Sequence, residues 1–420
     1  MKYGLNDKPG LSELLLYGLQ WWAVSLPCVI IMGAISSRLH FSDLAYQTFY
    51  LQKMFGIAGA ATVMQIIIGH RLPLVIGPAT ILLVGLTASQ SQSMDAAYSA
   101  IMISGLVLAL TAASGLFTRL RLFFTPRIVA VILILIAFTL APSILKLVFG
   151  PENEFPIFHL FFCFGLVAAL IILNQILPGV WKSLTILFGL AGGCAVYFAV
   201  LGPPAAGQAA PASVPPFLFL ENFTFDPGLI ISFLLCMTAL SINELGSIES
   251  IGHMLNAGDM PGRVKRGVGL QGLTNALSGA LGIIGPVSFS LSAGVIAATG
   301  CATRYALIPA GFGLLLCSFS PRAVYWLSLL PGPVMGALLL YLMASQLASG
   351  LSMLVAEKGV SDFASGLTVA MPLMAGLMVS FTPAEVFAAF PVLVRPLIGN
   401  GFIVGAVTVV VLEHVVFKKK

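Results

Sequence analysis

Apolar residues run through this chain in long blocks separated by short polar punctuation, from near the first residue to near the last. A block of about 20 apolar residues is what a helix needs to cross the hydrocarbon core of a bilayer. Fourteen blocks are legible, near 14–35, 46–69, 72–88, 97–117, 127–148, 158–178, 182–202, 228–250, 267–284, 287–300, 304–320, 325–348, 364–383 and 397–416. The third and tenth are too short and too rich in Gly and Pro to be ordinary spanning helices. Each is interrupted by a Gly-Pro pair, Gly77-Pro78 in one and Gly285-Pro286 in the other.

A stretch rich in Ala and Pro divides the blocks into two sets of seven. The pattern predicts a first repeat over 1–200, an external linker over 201–227 and a second repeat over 228–420. The two broken segments then stand third in their halves. The fifth and twelfth blocks also resemble each other at their starts, Thr125-Pro126-Arg127-Ile128-Val129 against Pro331-Gly332-Pro333-Val334-Met335. Because seven is odd, the second half enters the membrane from the opposite side, and the repeat is inverted. Short Gly/Pro-broken segments at matching positions point to a transporter's binding site, since unwound backbone survives at membrane depth only where protein or a cavity satisfies it.

Composition agrees with the pattern. The chain is 59% hydrophobic and 8% charged, too little polar surface to coat a soluble globule of 420 residues. Basic residues then orient it. With both termini in the cytoplasm, fifteen of the twenty fall inside; Arg38, Lys146, Arg322 and Arg395 fall outside, and Lys53 lies within a segment. This distribution accounts for the net charge of +5 without a nucleic-acid partner. No cleavable signal is expected, because Met1 to Glu13 is polar and the first apolar block outruns a signal sequence. The six cysteines lie in or beside apolar blocks without metal-ligand spacing and read as small buried hydrophobes. The expectation is a multi-pass protein of the bacterial inner membrane, with the lipid bilayer as its solvent.

Two ionisable residues stand out at the end of the eighth block, Glu249 and His253. A carboxylate is costly at membrane depth, so one kept there is a functional candidate. A spacing of four places it and the imidazole on one helix face, where they can pass a proton or hydrogen-bond a polar ligand. Glu244 lies five residues earlier and turns away from that face, which suggests a structural or lateral role.

These residues resemble the nucleobase–ascorbate transporter family, also called the nucleobase–cation symporter-2 family, which includes bacterial uracil and xanthine permeases. The resemblance is carried by Tyr3-Gly4-Leu5-Asn6-Asp7-Lys8-Pro9, Gly18-Leu19-Gln20, Arg71-Leu72-Pro73 with Gly77-Pro78, and Glu249-Ser250-Ile251-Gly252-His253. Arg266-Gly267, Gln271-Gly272-Leu273 and the stretch Gly294 to Thr299 add to it. It implies an all-α polytopic fold of about 14 transmembrane segments in a 7+7 inverted repeat, with short extended pieces in segments 3 and 10 and with core and gate domains. It also implies a proton-coupled symporter taking up a nucleobase (uracil, xanthine or another purine) or a similar heterocycle, with no cofactor and with dimers as the assembly. Glu249 would bind substrate and couple to the proton, with His253 as relay.

The departures bear on the substrate. Leu291 and Ser292 replace the Gln or Glu and the Asn that open the family's tenth-segment signature, and Trp21 replaces a first-helix His. An apolar Leu291 cannot bond a base edge, and a site that loses one such bond changes which ligand it accepts. Gln20, Thr80, Ser290 and Ser292 could supply amide or hydroxyl groups in compensation, and Trp21 could stack on a flat ring; Trp21 as a core aromatic and the serines as packing residues are the competing readings. An anion transporter of the sulfate-permease type on the same architecture is the alternative cargo class, although an acid at the site would repel an anion, and no soluble domain is expected beyond Lys420. The chain carries no HExxH, P-loop, GxSxG or Cys/His cluster that would mark a membrane enzyme or a primary pump.

Overall fold

A backbone inside a hydrocarbon solvent must pair its own polar groups, and helices do so locally. The computed structural model describes residues 2–90, 92–115, 125–150, 155–178, 181, 184–202, 222–289, 292–391 and 394–417. In the first half, α1 (Leu11–His40) and α2 (Leu44–Ile67) lead into the strand β1 (Val75–Pro78) and the short helix α3 (Thr80–Ala88), followed by α4 (Met94–Ala113). Then come α5 (Pro126–Thr139), α6 (Ala141–Val148), α7 (Pro156–Ile176) and α8 (Thr185–Leu201). The second half repeats the opening with α9 (Pro227–Met254), α10 (Met260–Ala280), β2 (Pro286–Phe289), α11 (Ser292–Thr299) and α12 (Leu307–Ser318). It closes with α13 (Pro321–Ser328), α14 (Gly332–Ala356), α15 (Phe363–Phe381), α16 (Ala384–Ala388), α17 (Arg395–Ile398) and α18 (Gly401–Val411). Asp43, Ser93, Thr125, Asp226, Asp362 and Asn400 cap helix starts by accepting from backbone N–H groups one turn in.

Most of the apolar blocks coincide, among the described residues, with one helix or one strand–helix unit, while 127–148 and 325–348 each hold parts of two helices. Among the described residues, seven helices are long and apolar enough to cross a membrane: α1, α4, the run Pro126–Val148, α7, α9, α14 and α15. One further pair, Arg304–Ser318 with Pro321–Leu327, qualifies only jointly and is bent by 91°. The twelfth block, expected from residue 325, therefore splits. Its long helix starts at Gly332, because Pro331 and Pro333 lack the N–H groups that would continue α13 into it. The expected linker falls largely outside the described residues.

The helices sort into two bundles. α1–α4 pack with α9, α10 and α12 around the two strands, while α5–α7 pack with α14, α15 and α18. The bundles meet where α1 faces α8 and α14, α3 faces α5, and α9 faces α17. Within the first bundle α4 crosses α10 at backbone contact, and glycine makes it possible. A Cβ on Gly105 would stand 2.5 Å from the Ala276 nitrogen, and one on Gly272 would stand 2.5 Å from the Ala109 nitrogen. Small residues of this kind bring membrane helices into backbone contact, so that dispersion replaces the hydrophobic drive missing in lipid. The N-terminal segment straps the end of α11: Lys2 N–H donates to Gly300 O at 2.7 Å, and Ala302 N–H to Tyr3 O at 2.9 Å.

Gly272→Leu should push α4 and α10 apart and cost about 1–3 kcal/mol, as overpacked cores do. Thermal unfolding in detergent checks this, with Gly246→Ala, whose Cβ meets nothing within 4 Å, expected to leave the midpoint unchanged.

Candidate substrate cavity at the paired strands

The two broken segments meet. β1 and β2 pair antiparallel in the register Val75↔Phe289, Ile76↔Ser288, Gly77↔Val287 and Pro78↔Pro286, which places the two Gly-Pro breaks at one end of the ribbon. Ala79 N–H donates to Gly285 O at 2.9 Å beyond the last pair. A two-stranded ribbon leaves half its polar groups unpaired, and side chains from neighbouring helices satisfy several of them. Ser288 N–H and Oγ–H donate to the two oxygens of Glu244, at 2.7 and 2.8 Å. The Ser247 hydroxyl donates to Ser288 O at 3.1 Å, and Asn275 Nδ2 donates to Pro286 O at 3.0 Å. Val75 N–H donates to Ser292 Oγ at 2.8 Å. Ile284 N–H donates to the Tyr50 hydroxyl at 3.1 Å, itself 2.8 Å from the Tyr98 hydroxyl.

His70 sets the approach to β1 in the same way, its Nδ1 accepting from Leu72 N–H at 3.0 Å. Burial, with the charge of Arg263 added to it, pushes its pKa down to about 3. It therefore stays neutral at physiological pH, with its proton on Nε2.

In front of the ribbon, where the two bundles meet, lies a cavity of about 400 Å³, within the size range of sites for small organic ligands. Phe289, Ile136 and Met343 contribute apolar walls, and Thr80, Asn243, Ser345, Gln346 and Ser349 contribute amides and hydroxyls. Its lining carries no charged side chain among the described residues. α3 starts at the cavity with no side-chain cap, so the N–H groups of its first turn are donors toward the Thr80 end. Gly77 leaves room for the aromatic wall: a Cβ there would lie 2.6 Å from Cε2 of Phe289. The arrangement suits a flat ligand with donors and acceptors on its edge.

The expected site residues divide sharply. Thr80 lines the cavity. Ser290 and Leu291 lie outside the described residues. Ser292 is buried and ties β1 to the start of α11, donating to Phe289 O and accepting from Val75; it is a joint of the ribbon instead of a cavity contact. Gln20 and Trp21 sit two turns too early on α1, which contributes Cys28 and Met32 to the cavity. Trp21 is 1% exposed within the core, so its burial is accounted for by packing instead of by a stacked ligand. Glu249 is half-buried and His253 exposed, and neither lines the cavity. The acid that reaches the ribbon is Glu244, fully buried, in the structural role its spacing suggested.

Phe289 and Gln346 were not anticipated, and Asn243, an amide beside an acid inside an apolar block, was expected to cap or bridge unwound backbone instead of lining a cavity. Ser345 and Ser349 with Gln346 form a polar stripe one turn apart on an apolar helix. Phe289 had no signal in the sequence, because only the pairing with β1 brings its ring over Gly77.

A family model described as the Permease family (Xan_ur_permease) matches residues 12–385. The chain belongs to this permease family. It is 24% identical to the uric acid permease PucK of Bacillus subtilis, covering 99% of this chain and 98% of that one. It is 26% identical to the nucleobase transporter PlUacP of Paenibacillus larvae, covering 96% and 94%. Among solved structures, the transmembrane domain of a cyanobacterial bicarbonate transporter, BicA, superposes with a TM-score of 0.66 at 13% identity, covering 90% of this chain and 98% of that one. The murine anion transporter Slc26a9 in its inward-facing state gives 0.63 at 11% identity, covering 96% and 68%. At such identities the structures speak for the fold alone, and they agree with the inverted-repeat architecture. The permease is thus a multi-pass membrane transporter.

Glu244→Ala would leave the buried Ser288 N–H without its acceptor, at a cost of about 1–3 kcal/mol. Glu244→Gln keeps an acceptor and should lose less. Thermal unfolding of the two variants in detergent ranks them.

Proposed function

We propose that this permease takes up an oxidised purine or related nucleobase, coupled to protons, with both termini in the cytoplasm. The observation that carries the reading is the neutral, amide- and hydroxyl-lined cavity of about 400 Å³ at the strand pair, in a chain whose full-length relatives are named as uric acid and nucleobase transporters. Thr80, Asn243 and Gln346 hydrogen-bond the edge of the base, and Phe289 covers one face. The position of the cavity supports alternating access. One wall belongs to the bundle that holds the strands and the other to α5 and α14, so sliding of one bundle against the other opens the site to alternate sides.

Glu249 and His253 take the proton-coupling role. A half-buried carboxylate one helical turn from an exposed imidazole can exchange protons with solvent at the end of α9. Glu244 is already engaged by Ser288 through both oxygens and stays an anchor. Glu249 therefore acts on the ligand through the protonation state of the helix that carries Asn243, not by touching it. The solved anion transporters share the fold, but the cavity lining offers no cation among the described residues to hold a small inorganic anion there.

Uptake of labelled urate, xanthine, hypoxanthine and uracil into proteoliposomes with an inward proton gradient tests this. Gradient-driven accumulation of at least one base is expected. Glu249→Gln should abolish accumulation while leaving equilibrium binding of that base within about threefold, and Asn243→Leu should weaken binding about tenfold or more. Accumulation that survives in Glu249→Gln would remove the coupling role.

A further inference from the structure

A second cavity, of about 280 Å³, opens at the other end of α3. Thr80 belongs to the first cavity and Thr87 to the second; seven residues of helix separate them, about 10 Å along the axis. On α5 the step between the two cavities is shorter, three residues from Ile136 to Thr139, about 4–5 Å. The two cavities thus lie in line along the seam between the bundles.

Their chemistry differs. Lys146 at the end of α6 and Arg395 at the start of α17 both line the second cavity, and no carboxylate does among the described residues. These are two of the four basic residues that the charge distribution assigns to the outer face, and the fold gathers them from segments 249 positions apart. Asn400 lines the cavity as well. It is fully buried, its Oδ1 accepts from Ile403 N–H at 3.3 Å as the cap of α18, and its Nδ2 has no hydrogen-bond partner among the described residues. A buried amide donor without an acceptor is costly, and a bound anionic oxygen would satisfy it. The N-terminus of α18 adds its partial positive charge at the same place. Phe387 contributes an aromatic face, and Gln92 an amide at the rim.

We propose that this cavity is a second binding site, an outer vestibule that takes a planar heterocyclic anion of the urate type before it enters the cavity at the strands. Lys146 and Arg395 supply the countercharge, Asn400 Nδ2 donates to an exocyclic oxygen, and Phe387 stacks on the ring. The vestibule selects and concentrates the anionic form from outside by electrostatic steering, and the uncharged inner cavity then receives it along α3. The inference rests on the proposed transport reading, which supplies the probes and the inner cavity as the ligand's destination.

Equilibrium binding of labelled urate (anionic at neutral pH) and of labelled hypoxanthine (neutral) to the full-length protein in lipid nanodiscs tests it. Wild type should bind urate at two sites and hypoxanthine at one. The second urate site should weaken steeply with salt. Lys146→Gln combined with Arg395→Gln should weaken that site about tenfold or more and leave hypoxanthine binding unchanged, which also shows that the variant is folded. Asn400→Asp keeps the helix cap and should remove the second urate site by repulsion. A single urate site, or a second one indifferent to these changes, would overturn the proposal. So would displacement of urate from the second site by bicarbonate or sulfate at equal concentration, which would make it a site for small inorganic anions. If hypoxanthine fails to bind at all, the nucleobase reading falls by itself, while the response of urate binding to Lys146 and Arg395 still decides the vestibule.

Discussion

Two stretches of unwound backbone inside an apolar molecule are the constraint from which the rest of the structure follows. Water is not there to solvate the freed N–H and C=O groups, so each must find a protein partner or face a cavity. β1 and β2 satisfy one another along their shared edge. Their outer edges and ends are served by Glu244, Ser247, Asn275, Ser292 and Tyr50, one or two from each surrounding element. Polar residues that look scattered along apolar helices are therefore one network with one task. It fixes α9, α10 and α11 on the ribbon, and through α9 it fixes Asn243 at the cavity.

The same constraint explains the placement of charge. A carboxylate beside the ribbon can be kept at full burial because two short hydrogen bonds from Ser288 meet it, whereas one that exchanges protons needs a route to water. Glu244 and Glu249 are five residues apart on one helix and have opposite environments. An acid in a membrane helix is thus not by itself a ligand contact; what faces it decides its work. The cavity at the strands dispenses with charge altogether among the described residues and offers amides, hydroxyls and an aromatic wall, which suits a flat heterocycle better than a small inorganic ion.

Packing supplies what the network cannot. Glycines let α4 and α10 approach to backbone contact, giving the strand-bearing bundle a rigid flank. The second bundle shares fewer such contacts with the first and borders both cavities. A seam between two separately packed bundles is the natural place for sliding, and both candidate ligand positions lie along it.

The sequence alone determined the membrane class, the approximate positions of most helices, the matched breaks at Gly77-Pro78 and Gly285-Pro286, and the family. These follow from local composition: apolar length, the missing N–H of proline, the bias of Lys and Arg. Thr80, expected at the site, lines the cavity, and Glu244, expected in a structural or lateral role, is bonded to Ser288. What only the tertiary structure decided was who meets whom. Trp21 is core, Ser292 joins the ribbon, Phe289 lines the cavity with its ring against Gly77 only because the strands pair, and Lys146 and Arg395 share one cavity although they sit in different halves. Spacing along a helix reports which side chains share a face. It is silent on what packs against that face, because that depends on contacts between segments far apart in the chain.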